Sequence, residues 1–193
     1  MDNLKDNIVR VAKEVFAREG YYGASMEEIA RNASVAKGTL YNYFSSKEEL
    51  YVEVILELIT IVDSWVDEAI ESEKKFWDKI DFLARRVLNY FSRNKQVFTI
   101  IRRETPINTA MRKESEQKIM DLMKARVDKL AGIFKEHRKE GVISDKYTDR
   151  DGAFLCLVVV ESMVRRTLEG WERDPDKNAN MVIKFLKNGL AKN

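Results

Sequence analysis

Few side chains in this sequence combine the type and spacing that bond-making chemistry needs. The one histidine, His137, falls at a predicted helix end, and the one cysteine, Cys156, lies in the apolar run AFLCLVVV, where a thiol is inert. Adjacent carboxylates occur at Glu27-Glu28 and Glu48-Glu49, both at predicted helix starts where the helix dipole favours acids, so they read as caps rather than as an acid–base pair. No cluster has metal-ligand spacing. Neither catalytic residues nor a metal nor a cofactor is expected, and the chain is not expected to be an enzyme. A different chemistry is written between Glu28 and Glu48, an interval without a single acid that carries Arg31, Lys37 and Lys47 beside Thr39, Tyr41, Asn42, Tyr43 and Ser45. Cations, hydroxyls and amides are the groups that grip phosphate oxygens and read base edges in the major groove of DNA. The basic character is local, because the formal net charge of the 193-residue chain is only +2.

Those residues need elements to hold them. Ser25 followed by Glu28 predicts a capping box at the start of a helix reaching about Asn32, with Met26, Ile29 and Ala30 as its buried stripe. Small Ala33 and Ser34 then allow a turn, and Val35 can fill the corner between two steeply crossed helices. A second short helix, about Ala36 to Phe44, places Leu40 and Phe44 on one face and leaves Lys37, Thr39, Tyr41 and Asn42 on others. Such a helix is ~12 Å long at ~1.5 Å per residue, comparable to the width of the major groove. This is a helix-turn-helix. A first helix, about Leu4 to Glu19, should brace it through Ile8, Val11, Ala12, Val15 and Phe16, with Gly20 as a left-handed cap. Tyr21 and Tyr22 suit packing against that helix, with DNA contact as the other reading.

The run from Ile8 to Leu50 resembles the DNA-binding domain of the TetR/AcrR family of transcriptional regulators. The resemblance rests on Ala12, Phe16, Gly20 and Tyr21, on Ser25-Met26 with Ile29-Ala30, on Val35 through Phe44, and on Ser46-Lys47-Glu48-Glu49-Leu50. One position departs: the family's turn usually has Ala-Gly, and this chain has Ala33-Ser34, so a non-glycine residue must adopt the backbone the turn needs. The resemblance implies that Lys37, Gly38, Thr39, Tyr41 and Asn42 face the groove, with Gly38 allowing close backbone approach. Asn42 suits adenine, and Lys37 suits either guanine or a phosphate. Ser25, Tyr41, Tyr43 and Lys47 are the phosphate candidates, although Tyr43 can also sit half-buried beside Phe44.

The remainder reads as helices throughout. Hydrophobic residues make up 45% of the chain, with eight Gly, two Pro and no alternating strand pattern, so an all-α fold of about nine helices is expected. Residues 1–47 form the expected DNA-binding domain and 48–193 a helical ligand-binding and dimerisation domain. Ser46 and Glu49 predict a second capping box, opening a long helix to about Ser72 that could couple the two domains. A fifth helix follows around Trp77 to Phe91, and a short sixth through Val97 to Arg103 ends before Pro106. The seventh, from about Asn108, closes on the cations His137, Arg138 and Lys139 before Gly141, as suits a helix C-terminus. An eighth starts near Thr148 and a last one spans about Asp176 to Lys192.

AFLCLVVV in the eighth helix is apolar all round and needs cover on two sides. The expected cover is a second copy of the chain, through Phe154, Leu157, Val158 and Glu161 with Val182, Phe185 and Leu186 of the last helix; a monomer core is the competing reading. A homodimer is also what paired half-sites on a palindromic operator require. Trp65, Phe82, Tyr90, Phe98 and Met123, with Arg102 for an acidic group, are candidates to bind an unidentified small apolar or amphipathic ligand, and each could equally be core or solvated surface. No signal sequence and no membrane span is expected, which places the chain in the cytoplasm. The resemblance implies a repressor released from operator DNA by ligand. A DNA-organising or protein-docking dimer without a small-molecule switch is the rival.

Overall fold

The computed structural model describes residues 2–95, 97, 98, 100 and 113–192. Among these the chain forms eight helices: α1 (Asp2–Gly23), α2 (Met26–Asn32), α3 (Lys37–Tyr43), α4 (Lys47–Glu71), α5 (Phe76–Arg93), α6 (Lys113–Arg138), α7 (Asp149–Leu168) and α8 (Pro175–Leu190). The β structure among the described residues is an isolated antiparallel bridge between Ile143 and Ala191. The fold is all-α, as expected. The expected start of the seventh helix at 108–112, Pro106 and the end of the short sixth helix lie outside the described residues. No described helix is long and apolar enough to cross a membrane.

The helices make two compact units: residues 1–60 with 94–121, and residues 61–93 with 122–193. Helices α4 and α6 each contribute to both.

In the first unit, the apolar stripe of α1 (Ile8, Val11, Ala12, Val15, Phe16) is buried, α2 packs on α1, and Phe16 meets Tyr51 of α4 edge-on at 5.0 Å. Lys5 and Lys13 of α1 hold Glu53 and Glu57 of α4 at 2.5 Å each. Gly20 interrupts α1 with φ 74 and ψ 174, a region essentially reserved for glycine, and one more helical turn then carries the tyrosines. Tyr21 packs there between Phe16 and Tyr51, at ring centroid distances of 6.2 and 5.0 Å, whereas Tyr22 points to solvent. Packing is therefore the role of Tyr21.

In the second unit, α5 lies against α7 and α8, which also pack on each other. Phe76 of α5 meets Phe134 of α6 edge-on at 4.8 Å. A Cβ on Gly152 of α7 would lie 2.6 Å from the Phe134 ring, so a glycine is what lets α7 approach. Arg126 and Lys129 of α6 hold Asp63 and Asp67 of α4 at 2.6 and 2.5 Å. Thr148 and Asp151 form a complete capping box on α7, and Asp174 caps α8 ahead of Pro175.

The last turn of α6 carries Lys135, His137 and Arg138, as expected. Of these His137 is buried, with Nδ1 2.9 Å from the Ile133 carbonyl and its ring beside Phe76. Arg138 alone takes the polar role, donating to Asp149 and to the carbonyls of Ser144 and Tyr147. Burial pushes the Cys156 thiol up to about 12, which keeps it protonated and unreactive.

Candidate nucleic-acid interface

The site is built on α2, a turn and α3. Ser25 caps α2 by accepting the Glu28 amide at its Oγ, 3.1 Å away. The expected reciprocal bond is replaced: the Glu28 carboxylate accepts from Arg18 of α1 at 2.5 Å, which anchors α2 to the bracing helix. The same substitution occurs at α4. Ser46 accepts the Glu49 amide, but Glu49 reaches back one residue further, to the amide and hydroxyl of Ser45 at 2.7 Å each. Both capping boxes were thus half right, because a longer-range or better-aligned donor won the glutamate.

At the end of α2 the Val35 amide donates to the Ala30 carbonyl and the Ser34 amide to the Arg31 carbonyl, the paired bonds of a Schellman motif. That motif needs a left-handed residue at the position of Ser34, and Ser34 is the one non-glycine residue with positive φ (57°) among those described. Where the helix-turn-helix pattern favours glycine, serine takes the same conformation at a cost on the order of 1 kcal/mol. Asn7 of α1 secures the turn by donating to the Ala33 carbonyl at 3.1 Å.

Helix α3 is then fixed by two side chains. Leu40 and Phe44 are buried, which turns the opposite side outward: Lys37, Gly38, Tyr41 and Asn42 are exposed, and Thr39 and Tyr43 are half-exposed. Gly38 lies on this outward side. It has an ordinary helical backbone and a Cβ there would meet nothing within 4 Å, so the fold does not require glycine at this point. A helical glycine costs ~1 kcal/mol against alanine, and no described neighbour of Gly38 offsets that cost.

The expected phosphate candidates separate. Ser25 is committed to its cap. Lys47 is half-buried, with Nζ donating to the Ala24 carbonyl at 2.9 Å and lying 4.7 Å from the centre of the Tyr21 ring; that burial lowers its pKa. In this structure it ties α4 to the connection before α2. Tyr41 is the open one, 41% exposed. Two further residues border this surface, Arg31 from the acid-free interval and Glu27 from the start of α2. Arg31 is exposed on α2, and its side chain has no ion pair or hydrogen bond among the described residues. Glu27 is ion-paired with Lys37, which holds the glutamate below its usual carboxylate range and raises the lysine. A charge tally along the chain could not reveal that pairing, since the two residues are ten apart.

The ligand candidates are scattered. Trp65 and Tyr90 meet edge-on at 5.4 Å in the second unit. Phe82, rather than facing inward, lies between the Lys74 amine at 4.3 Å and the Arg86 guanidinium at 5.1 Å. Met123 is on the surface, and Phe98 is buried in the first unit. Arg102 lies outside the described residues. The dimer candidates divide as well. Phe154 and Val158 of α7 are exposed at 55% and 40%, Leu157 is half-exposed and Glu161 exposed, and Phe185 of α8 is exposed at 65%. Val182 and Leu186 are instead fully buried within the unit, so they belong to its core and not to an outward seam. Met181, one turn before Phe185, takes the outward place that sequence reasoning had missed.

Residues 8–54 match the model of the bacterial regulatory proteins of the tetR family. The fatty acid metabolism regulator protein of Bacillus subtilis (strain 168) is 23% identical over 188 residues, spanning 95% of this chain and 93% of that protein. The crystal structure of the transcriptional regulator FadR from Bacillus subtilis in complex with stearoyl-CoA superposes with a TM-score of 0.81 at 22% identity, covering 95% of this chain and 97% of that one. AibR, solved in complex with isovaleryl coenzyme A and operator DNA, superposes with a TM-score of 0.73 at 20% identity, covering 94% and 97%. At these identities the structural likeness is one of fold.

Proposed function

We propose that this chain, whose residues 8–54 match the model of the tetR-family bacterial regulatory proteins, is a homodimeric repressor that reads a palindromic operator and leaves it when a small apolar or amphipathic ligand binds. The observation that carries the reading is α3, whose Leu40 and Phe44 are buried while Lys37, Gly38, Tyr41 and Asn42 face outward around a glycine the fold does not need. In this proposal residues 1–47 read DNA, Asn42 contacts adenine, Lys37 contacts a base or a phosphate, and Tyr41 and Arg31 hold phosphates. Residues 48–193 pair and sense. Phe154, Val158, Met181 and Phe185 form the centre of the dimer seam, where large exposed apolar side chains are otherwise costly. Pairing sets two reading heads about one turn of DNA apart, ~34–36 Å. A protein of this kind acts on chromosomal DNA and so works in the cytoplasm.

For the ligand, the edge-on pair Trp65 and Tyr90 supplies aromatic surface, and the acyl-CoA complexes of the two structures with this fold suggest an acyl thioester as the class. Coupling of ~1–3 kcal/mol between ligand and DNA would change operator affinity by about 5- to 150-fold.

The test is selection of bound duplexes from a random library at near-physiological salt, followed by titration of the recovered operator complex with stearoyl-CoA. An inverted repeat with half-sites one turn apart supports the dimeric reader; recovery of no motif, with binding that only fades as salt rises, would overturn it in favour of a DNA-organising protein. Release of the operator by stearoyl-CoA supports the acyl thioester. An unchanged operator affinity removes that ligand class.

A further inference from the structure

An acid beside a DNA-reading helix is expensive, because it repels the phosphates that the neighbouring cations attract. The first turn of α2 carries two. Glu28 has a task inside the fold: its side chain is largely covered and its carboxylate receives Arg18. Glu27 has none. Its carboxylate meets Lys37, the first residue of α3, with the two side chains 58% and 57% exposed. An ion pair that open to water contributes little to stability. The dipole at the start of α2 favours an acid there, but it does not explain why this one reaches across the turn to α3.

What the pair does change is the charge the reading surface offers to DNA. Arg31 remains uncommitted among the described residues, while Lys37 arrives already neutralised. Any DNA that draws Lys37 away must leave Glu27 unpaired beside the phosphates. On an operator, a well-placed contact from Lys37 to a base edge compensates for that loss. On other sequences only a phosphate is available, and the exchange of one anion for another brings no gain.

We infer that Glu27 is a specificity-determining residue, an internal competitor with DNA phosphate for Lys37 that weakens binding to DNA lacking the operator more than binding to the operator. The inference rests on the reading of α3 as the DNA-contacting helix. It requires no movement beyond a side-chain rotation, since both residues are at the surface.

The experiment compares full-length wild type with Glu27→Gln, Lys37→Gln and the double variant. Each is titrated with the operator recovered by selection and with a scrambled duplex of equal length, from about 50 to 200 mM salt. Glu27→Gln is expected to bind the scrambled duplex ~2- to 5-fold more tightly per reading head. Its dependence of log affinity on log salt should be steeper by up to about 0.9 per head. Operator binding should change less, so the specificity ratio falls, and none of this should occur in the Lys37→Gln background. An equal gain on both duplexes, a gain that persists without Lys37, or no gain at all would overturn the inference. Circular dichroism melting of each variant confirms that the fold is retained. Wild type that binds no duplex would instead sink the DNA-reading proposal and this inference with it, so the two failures are distinguishable.

Discussion

The outward sides of α3 and of α7 with α8 both face solvent in the single chain, and they are made of opposite materials. Helix α3 exposes an amine, an amide, a phenol and a bare glycine, held by two buried apolar residues. Helices α7 and α8 expose Phe154, Val158, Met181 and Phe185, held by buried Ala153, Cys156, Val182 and Leu186. Water tolerates the first surface indefinitely and disfavours the second, by about 1.5–3 kcal/mol for each large side chain left uncovered. Polar exposure of this kind waits for a charged, hydrated partner; apolar exposure of this kind calls for a permanent one. In the proposed regulator these are DNA and a second copy of the chain.

The contrast can be broken in several ways. The largest effect is expected within α8, where neighbouring residues have opposite fates. Leu186→Ala, at a buried position, should destabilise the fold by about 2–5 kcal/mol, read as a lower denaturant midpoint. Phe185→Glu should leave the fold intact and raise the dimer dissociation constant by ~30-fold or more, as loss of a hot spot of about 2 kcal/mol does. Light scattering at micromolar concentration should then give the mass of one chain. A Phe185→Glu protein that remains dimeric would move the seam elsewhere.

On α3, Asn42→Ala should relax preference at one base position by about 1–3 kcal/mol while leaving stability unchanged, measured by competition among operator variants. Unaltered preference would demote Asn42 to a bystander. Gly38→Ala sharpens the contrast further, because fold and function should respond with opposite signs. It should stabilise the chain by up to ~1 kcal/mol, since nothing lies within 4 Å of the new methyl, and should weaken operator binding. Stabilisation with undiminished DNA affinity would mean that no partner approaches the glycine. The smallest change belongs to the turn between α2 and α3. Ser34→Gly should raise stability by roughly 0.5–1 kcal/mol by relieving the left-handed serine, visible as a rise of a few degrees in Tm.

Much of the first unit was legible because its signals are local. Gly20, Ser25, the Ala33-Ser34 turn and the Leu40/Phe44 spacing each act within one or two helical turns, and the helices formed close to where those signals place them. Even the departure at Ser34 could be located before its φ was known. The second unit was legible as a set of helices and not as a set of faces. AFLCLVVV offers no polar residue to orient it, and in the last helix adjacent Phe185 and Leu186 are both apolar, so the sequence put inward Val182 and Leu186 on the same seam as outward Phe185. The aromatic ligand candidates scatter, with Phe82 between two cations, Phe98 buried in the first unit, and Trp65 and Tyr90 edge-on in the second.

Sequence by itself determined the all-α class, the order of the helices, the helix-turn-helix and which residues its second helix turns outward, because capping, turn chemistry and apolar spacing are short-range and additive. Tertiary structure alone decided which partner each polar group took: Glu28 to Arg18, Glu49 to Ser45, Lys47 to the Ala24 carbonyl, His137 into the core, and Lys37 to Glu27. Ionic and hydrogen-bonding groups have several possible partners along a chain, and the one that wins is whichever the packed helices bring within about 3 Å.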